Sequence, residues 1–455
     1  MKVVLVRPNY KSHIITPPLG LGYLASALKK QGVQTKIIDG LREGLTSSSL
    51  FQRIVEEKPH WVGINCLSAY YHEVVKLSRA LKEKGIRCIV GGAHPTVLPF
   101  QTLVDSRADY VICGEGEVSL EKLIRNGSGD AAIPGVYNRD RLSSDYDGIQ
   151  KAEIYENLDD IPFPDWDQID PRKYPKAPHG AVAKNFPIGV LTTTRGCPYS
   201  CTFCASPSLS DRRIRFRSPE NVVAEIQFLI DHFGVKEIHF EDDNFTLRRD
   251  HVETICHLLI ENNIRISWAC PNGIRADQVD EPLIQLMKES GCYYFAYGIE
   301  SANPKILKNI NKKETIEQMA ASIEMAHRAE ISCQGFFIFG LPGETRETMA
   351  QTIRFAKRSK LSRAQFLILD VLPGSALWES LRGQFTPNWK KNSYQEPEWL
   401  AEDLSREEIM KTQARAFREF YFRPRVLLGL MKSIRLGQLK FLFDRLGAYR
   451  ILKVN

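Results

Sequence analysis

Residues 195–207 read RGCPYSCTFCASP, and they place Cys197, Cys201 and Cys204 at C-x₃-C-x₂-C spacing within eight residues. The other seven of the ten cysteines (Cys66, Cys88, Cys113, Cys256, Cys270, Cys292 and Cys333) stand singly, mostly in apolar strand-like runs where reduced buried thiols are expected. The triplet follows the apolar run IGVLTTT (188–194), so it lies on a loop just past the carboxyl end of a strand. Thiolates there suit zinc or an iron–sulfur cluster. A structural zinc site needs four ligands, and no second CxxC or His pair lies nearby to complete one. A 4Fe–4S cluster held by three cysteines leaves one iron open to a small chelating molecule.

Working outward, residues 187–375 alternate strand and helix patterns. Strands are expected at 188–194, 236–241, 265–269, 293–299, 332–339 and 365–371, separated by helices at 218–233, 250–262, 281–290, 315–329 and 346–360. Six such units predict a partial (β/α)6 TIM-like barrel, with chemistry at the carboxyl ends of its strands. Residues 1–125 form an earlier βα series, with strands at 2–7, 34–39, 60–66, 87–93 and 109–114 and helical patterns that include 19–31 and 71–84. Its continuous apolar strands predict a Rossmann- or flavodoxin-like parallel sheet covered on both faces. Residues 126–186 are rich in Pro, Asp and Tyr and read as a linker packed against both neighbours. Residues 376–455 form a helical, basic C-terminal region. The fold class is therefore α/β: a Rossmann-like sheet, a partial barrel and a helical tail.

Here the sequence resembles the radical S-adenosylmethionine superfamily, with RGCPYSCTFCASP as the cluster loop. The resemblance implies a 4Fe–4S cluster on Cys197, Cys201 and Cys204, with S-adenosylmethionine chelated to the open iron and Phe203 packed near the adenine. One electron from the reduced cluster would then release a 5′-deoxyadenosyl radical. In place of the family's usual Gly-Gly-Glu stretch stands HFEDDNFT, whose Glu241, Asp242 and Asp243 resemble the cobalamin-using branch and would attract a cation. A solvated turn is the alternative. YGIES places Glu300 and Ser301 where that branch directs polar groups to ribose and methionine. GLPGET places Gly340 and Gly343 where backbone would approach the adenine.

Residues 1–125 resemble the cobalamin-binding domain fused ahead of such cores, through PPLGLGYLAS, VGGAHPT and DYVICGEGE. Gly91, Gly92, Gly114 and Glu115 would border a flat macrocycle, and His94 is a further polar contact. The histidine-ligating motif D-x-H-x-x-G reads DGLREG here, and Leu41 cannot coordinate cobalt. A nucleotide or flavin would use the same topology, and a domain that has lost cobalamin would serve for docking. With all three cofactors, resemblance implies methylation of an unactivated carbon of a small-molecule or lipid-like substrate. One S-adenosylmethionine supplies the radical and a second remethylates cobalamin. The alternatives are radical oxidation, cyclisation or rearrangement without methyl transfer, and, outside catalysis, an electron carrier or a cobalamin-responsive regulator.

Such an enzyme needs a reductant such as flavodoxin or ferredoxin. No DNA-reading module is found, so no nucleic acid partner is expected. Net charge is +7, but residues 406–455 carry twelve Lys/Arg against four Asp/Glu, +8, which leaves −1 for the first 405. Within 426–455, apolar residues at helical spacing alternate with basic ones, a pattern for peripheral membrane contact or for a helix packed on the barrel. The opening MKVVLVRPNY lacks an apolar signal core, so a cytoplasmic setting is expected, with membrane association through 426–455.

Overall fold

The computed structural model describes residues 1–12, 14–126, 132–142, 149–179, 183–390 and 397–433. Five parallel strands open the chain: β1 (Lys2–Arg7), β2 (Gln34–Asp39), β3 (Trp61–Asn65), β4 (Arg87–Gly91) and β5 (Tyr110–Ile112). A short antiparallel β6 (Val136–Tyr137) closes one edge, and the sheet order is β2-β1-β3-β4-β5-β6. Val3 to Val6 of β1 are fully buried, as a central strand covered on both faces requires. The chain leaves β1 for β2 on one side and then crosses to β3 on the other. A crevice therefore opens between the ends of β1 and β3, where ligands of doubly wound sheets bind.

Then come β7 (Ile188–Leu191), a ribbon of β8 (Thr194–Arg195) with β9 (Arg215–Phe216), and β10 (Glu237–Phe240). β11 (Ser267–Ile274), β12 (Cys292–Glu300), β13 (Ser332–Phe339) and β14 (Arg363–Ile368) follow. Apart from the ribbon, these strands form one parallel sheet in strict chain order, β7-β10-β11-β12-β13-β14. Right-handed crossovers in unbroken order put every helix on the same face, and the sheet curls into an open half-barrel.

The strand expected over 188–194 is split. Thr193 and Thr194 give their backbone N–H groups to Asp242 Oδ1, at 2.9 and 2.6 Å, instead of to a neighbouring strand. That diversion turns the chain into the ribbon that carries the cysteine loop.

The proline-rich segment is a wedge. Trp166 Nε1 donates to Glu225 Oε1 (2.9 Å) on the barrel, while Gln168 Oε1 accepts from Ile37 N (2.7 Å) and Tyr174 Oη donates to Asp39 (2.8 Å) on the first sheet. At the far edge the helix Arg406–Tyr421 covers β14. Phe417 and Phe420 pack edge-on to Phe366, and Tyr421 Oη bonds both the N–H and the C=O of Ala364. An otherwise open edge strand is thereby capped. Residues 434–455, most of the expected membrane-contact stretch, lie outside the described residues.

Candidate active site

All ten cysteines are free, and seven are buried; only Cys197, Cys201 and Cys204 reach the surface. The loop that carries them is pinned from several sides. Thr202 N donates to Ile310 O (3.0 Å), Asn311 Nδ2 donates to Ser200 O (3.0 Å), and Leu377 N donates to Thr202 O (2.8 Å). Gly196 has φ +99°, and a Cβ there would lie 2.0 Å from Arg213 O, so only glycine fits before Cys197. Burial pushes the Cys204 thiol up to about 12, while the N–H of Ser206 reaches its sulfur at 3.4 Å and favours the thiolate. Among the described residues no three His, Cys, Asp or Glu side chains converge on one metal ion. Three surface thiols on one pinned loop, short of a fourth ligand, fit a multi-iron cluster. Phe203 is half-buried against the core directly before Cys204.

The acidic run after β10 is not a cation trap. Asp242 is buried, and its Oδ1 accepts from the N–H and the hydroxyl of both Thr193 and Thr194, while Oδ2 is buried without a partner among the described residues. Burial lifts its carboxyl to about 6. It shapes the loop instead of facing a ligand. Asp243 is exposed and accepts from Ser206 Oγ (2.5 Å). Glu241 pairs with His179 Nε2 (2.7 Å); His179 Nδ1 meets His239 Nδ1 (2.9 Å), whose Nε2 reaches Glu237 (2.8 Å).

Glu300 sits at the end of β12 in a left-handed conformation, φ +63°. Lys312 Nζ lies 3.4 Å from Glu300 and 3.2 Å from Glu314, and Arg275 reaches Glu314 (3.4 Å), pairs with Asp277 (2.7 Å) and covers the Tyr199 ring at 3.8 Å. Burial works against the Lys312 ammonium, but the two glutamates outweigh it and raise its pKa. A Cβ on Gly298 would lie 2.6 Å from the Glu300 carboxylate and 3.0 Å from Lys312 Nζ, so a larger residue there would displace this ion pair. The ion network therefore lies directly beneath the cysteine loop.

Ser301 corrects the expectation. It is fully buried, and its hydroxyl meets Thr352 Oγ1 (3.4 Å) and accepts from Asn303 N (3.3 Å), so it organises the chain internally. Gly340 and Gly343 both have positive φ, but the close approaches they permit are to the chain itself: Ile409 beside Gly340 and Asn309 beside Gly343. Tyr297 and Cys333 are buried in the core, as expected for the lone cysteine; the Tyr297 hydroxyl bonds Ser322.

In the first sheet a cleft of about 320 Å³ opens at the strand ends, lined by Leu5, Leu24, Ile64, Ile89 and Ile112. Gly91, Gly92, Gly114 and Glu115 border it, as do Thr192 and Arg195 from across the domain boundary. Gly92 and Gly114 adopt φ +116° and +99°. The slot is apolar, glycine-walled and open at its mouth, so its residues would suit the apolar face of a large flat ligand.

His94 does not border this cleft. It is buried, stacked on Tyr71 (4.0 Å between centroids) and edge-on to Trp389 (5.0 Å), with Nδ1 on Ser68 Oγ; burial pushes its pKa down to about 3. Its imidazole is therefore neutral, and its Nε2 is buried without a hydrogen-bond partner among the described residues. Leu41 is likewise buried outside the cleft, while Asp39 of the same motif takes both Arg7 and Tyr174.

A model of the radical SAM superfamily matches residues 191–356, and one of the B12 binding domain matches residues 10–124. An uncharacterized methyltransferase of Pyrococcus horikoshii is 35% identical over 445 residues, 94% of each chain. The chain belongs to the B12-binding radical SAM enzymes. The cytidylyl-2-hydroxyethylphosphonate methyltransferase of Streptomyces wedmorensis is 31% identical, over 83% of this chain and 80% of its own. In fold, the chain matches the cobalamin-dependent radical enzyme OxsB with a TM-score of 0.74 at 17% identity, over 99% of this chain and 71% of that one.

The cofactors of this radical SAM enzyme are thus a 4Fe–4S cluster, S-adenosylmethionine and cobalamin. The three thiols suit the first, and the glycine-walled cleft the third. Sequence reasoning missed Lys312, Arg275 and Tyr199. A lysine in NINKKET looks like any solvated lysine until the fold buries it. It also missed His179 and Arg195. The arginine just ahead of GCP carried one usable signal, its opposite charge to the GEGE at 114–117.

Proposed function

We propose that this enzyme methylates an unactivated carbon of a small organic substrate held between the cysteine loop and the apolar cleft. The supporting observation is that Thr192 and Arg195, at the root of the cysteine loop, also line the cleft of the first sheet, so the loop's root and the cleft share a wall. Both relatives above are named as methyltransferases. When bound, the cofactors supply the hydrogen-abstracting radical and the transferable methyl group. The chain's own residues bind, orient and shield: the Glu300–Lys312 network fixes polar groups, and the leucine and isoleucine walls of the cleft exclude water.

The test is anaerobic turnover with methyl-deuterated S-adenosylmethionine, hydroxocobalamin, a reductant and metabolite extract from a deletion strain. A substrate that gains a labelled methyl group, with 5′-deoxyadenosine and S-adenosylhomocysteine both formed, supports the reading. Substrate-dependent 5′-deoxyadenosine without S-adenosylhomocysteine would replace it with oxidation or cyclisation. The enzyme needs an external reductant; flavodoxin or ferredoxin is the class proposed, and is checked by whether either sustains cleavage of S-adenosylmethionine.

The lipid-like substrate class rests on a separate feature. Phe422, Leu427 and Leu428 are exposed beside Arg423 and Arg425 on the helix Pro424–Ser433 and the turn before it. No helix among the described residues is long and apolar enough to cross a membrane. Contact would therefore be peripheral. Co-sedimentation with anionic liposomes that persists unchanged after deletion of 426–455 would remove this reading.

A further inference from the structure

We propose that Arg195 is a positioning residue that sets the separation between cobalamin and the iron–sulfur cluster, by tying the cysteine loop to the carboxylates that border the cobalamin cleft. This goes beyond the reaction assigned above and holds whether or not a methyl group is transferred.

Arg195 lies two residues ahead of Cys197, yet its partners belong to the loop and helices around the first sheet. Nη1 pairs with Glu115 Oε2 (2.7 Å) and Nη2 with Glu117 Oε1 (2.9 Å), and the guanidinium lies over the Tyr23 ring at 4.9 Å. Glu115, Glu117 and Tyr23 all line the cleft. Glu115 also pairs with Arg215 on the opposite strand of the β8–β9 ribbon, so one carboxylate holds both sides of the loop's root.

The root has no slack on either side. Upstream, Asp242 fixes Thr193 and Thr194 through four hydrogen bonds. Downstream, Gly196 is already too close to Arg213 O to admit a Cβ. A displacement of Arg195 must therefore pass to Cys197, and a displacement of Glu115 or Glu117 must pass to Arg195. Arginine suits this role because its planar fork holds two carboxylates in a fixed geometry, which a lysine ammonium does not. The domains themselves do not depend on it, since Trp166, Gln168 and Tyr174 bridge them elsewhere. Without the latch the domains should stay docked, while the segment between Thr194 and Ser200, held then only at its two ends, gains freedom relative to the cleft.

Such a shift can be read without turnover. In the full-length protein carrying reduced cluster and cob(II)alamin, both centres are paramagnetic, and pulsed dipolar EPR gives their distance distribution. The wild type should give one narrow distribution. Arg195→Met, at unchanged iron, sulfide and cobalamin content, should give a broadened and displaced one, and Arg195→Lys an intermediate width. If Arg195→Met does not retain its cluster, Glu117→Gln, which leaves Arg195 its Glu115 partner, should show a smaller broadening. A distribution identical to wild type in Arg195→Met, or in Glu117→Gln where that variant decides, overturns the proposal. Either result leaves the methyl-transfer reading untouched, because no product is measured.

Discussion

At the carboxyl end of the first sheet the chain presents Gly91, Gly92 and Gly114 around an apolar slot; at the same end of the second it presents three thiols above Glu300, Lys312, Glu314 and Arg275. Both sheets are built from the same βα unit. The first end removes side chains to make room, while the second buries charge and holds Glu300, Asn311 and Lys313 at positive φ. Non-glycine residues in that region are uncommon and strained, and they persist where surrounding structure over-determines them. A large flat body needs space and apolar contact. A small charged ligand on a metal cluster needs fixed partners at short range. The two ends should therefore respond differently to damage: the second loses stability and radical chemistry, the first loses affinity.

The largest separation is expected from the thiols. Cys201→Ala should reduce 5′-deoxyadenosine formation to background, while the visible spectrum of bound cobalamin stays that of the wild type. Loss of cobalamin from this variant would break the comparison, since it would mean that the ends do not function apart.

Next in size is Lys312→Met. Removing one partner of a buried ion pair costs about 3–5 kcal/mol, because Glu300 is left uncompensated and Glu314 keeps only Arg275. For a domain of this size about 2–4 °C accompanies each kcal/mol, so the melting temperature of the barrel should fall by on the order of 10 °C. Calorimetry would show it. A fall within error would mean that solvent reaches the network.

Gly91→Val sharpens the first end. A Cβ at Gly91 would meet nothing nearer than 3.9 Å, so the variant should fold normally. Its added bulk at the cleft should lower cobalamin affinity about tenfold, the equivalent of about 1.4 kcal/mol. Titration of the apoprotein with hydroxocobalamin measures this; unchanged affinity would place the macrocycle elsewhere.

The fold was largely legible because hydrophobic period is a local signal. β1, β2 and β13 fall where the apolar runs do, and the helices Leu19–Lys30 and Ile316–Arg328 begin and end within two residues of the pattern. The cysteine loop was legible because its spacing is rare. The direction in which a polar side chain points is not local. Asp242 and Asp243 are adjacent and chemically identical, yet one is sealed against Thr193 and Thr194 while the other faces Ser206. Ser301 was lost the same way, turned inward by Thr352 far along the chain, and the orientation of His94 is likewise set by remote rings, Tyr71 and Trp389. What sequence could not show at either end was which polar groups serve the scaffold and which face the ligand.

The smallest effect expected is one of pH, and it tests whether the charge buried near the second end is all held ionised. Glu344 of GLPGET accepts from the N–H groups of Gly340 (2.6 Å) and Leu341 (3.1 Å) through Oε2, while Oε1 is buried with no partner among the described residues. Burial raises its pKa from 4.5 to about 8, against the two hydrogen bonds that lower it. An acid whose folded pKa is raised binds its proton more tightly when folded. Its contribution is fully present below pH about 4.5 and is lost as pH rises through about 8. Glu344→Gln mimics the protonated form, with a carbonyl for the two N–H groups and no charge to acquire. Between pH 6 and 9 the wild type should lose several degrees of melting temperature more than the variant does, and below pH 5 the two should melt alike. Parallel curves across the whole range would show that Glu344 is ionised throughout, and that the turn after β13 tolerates a buried charge as the Lys312 network does.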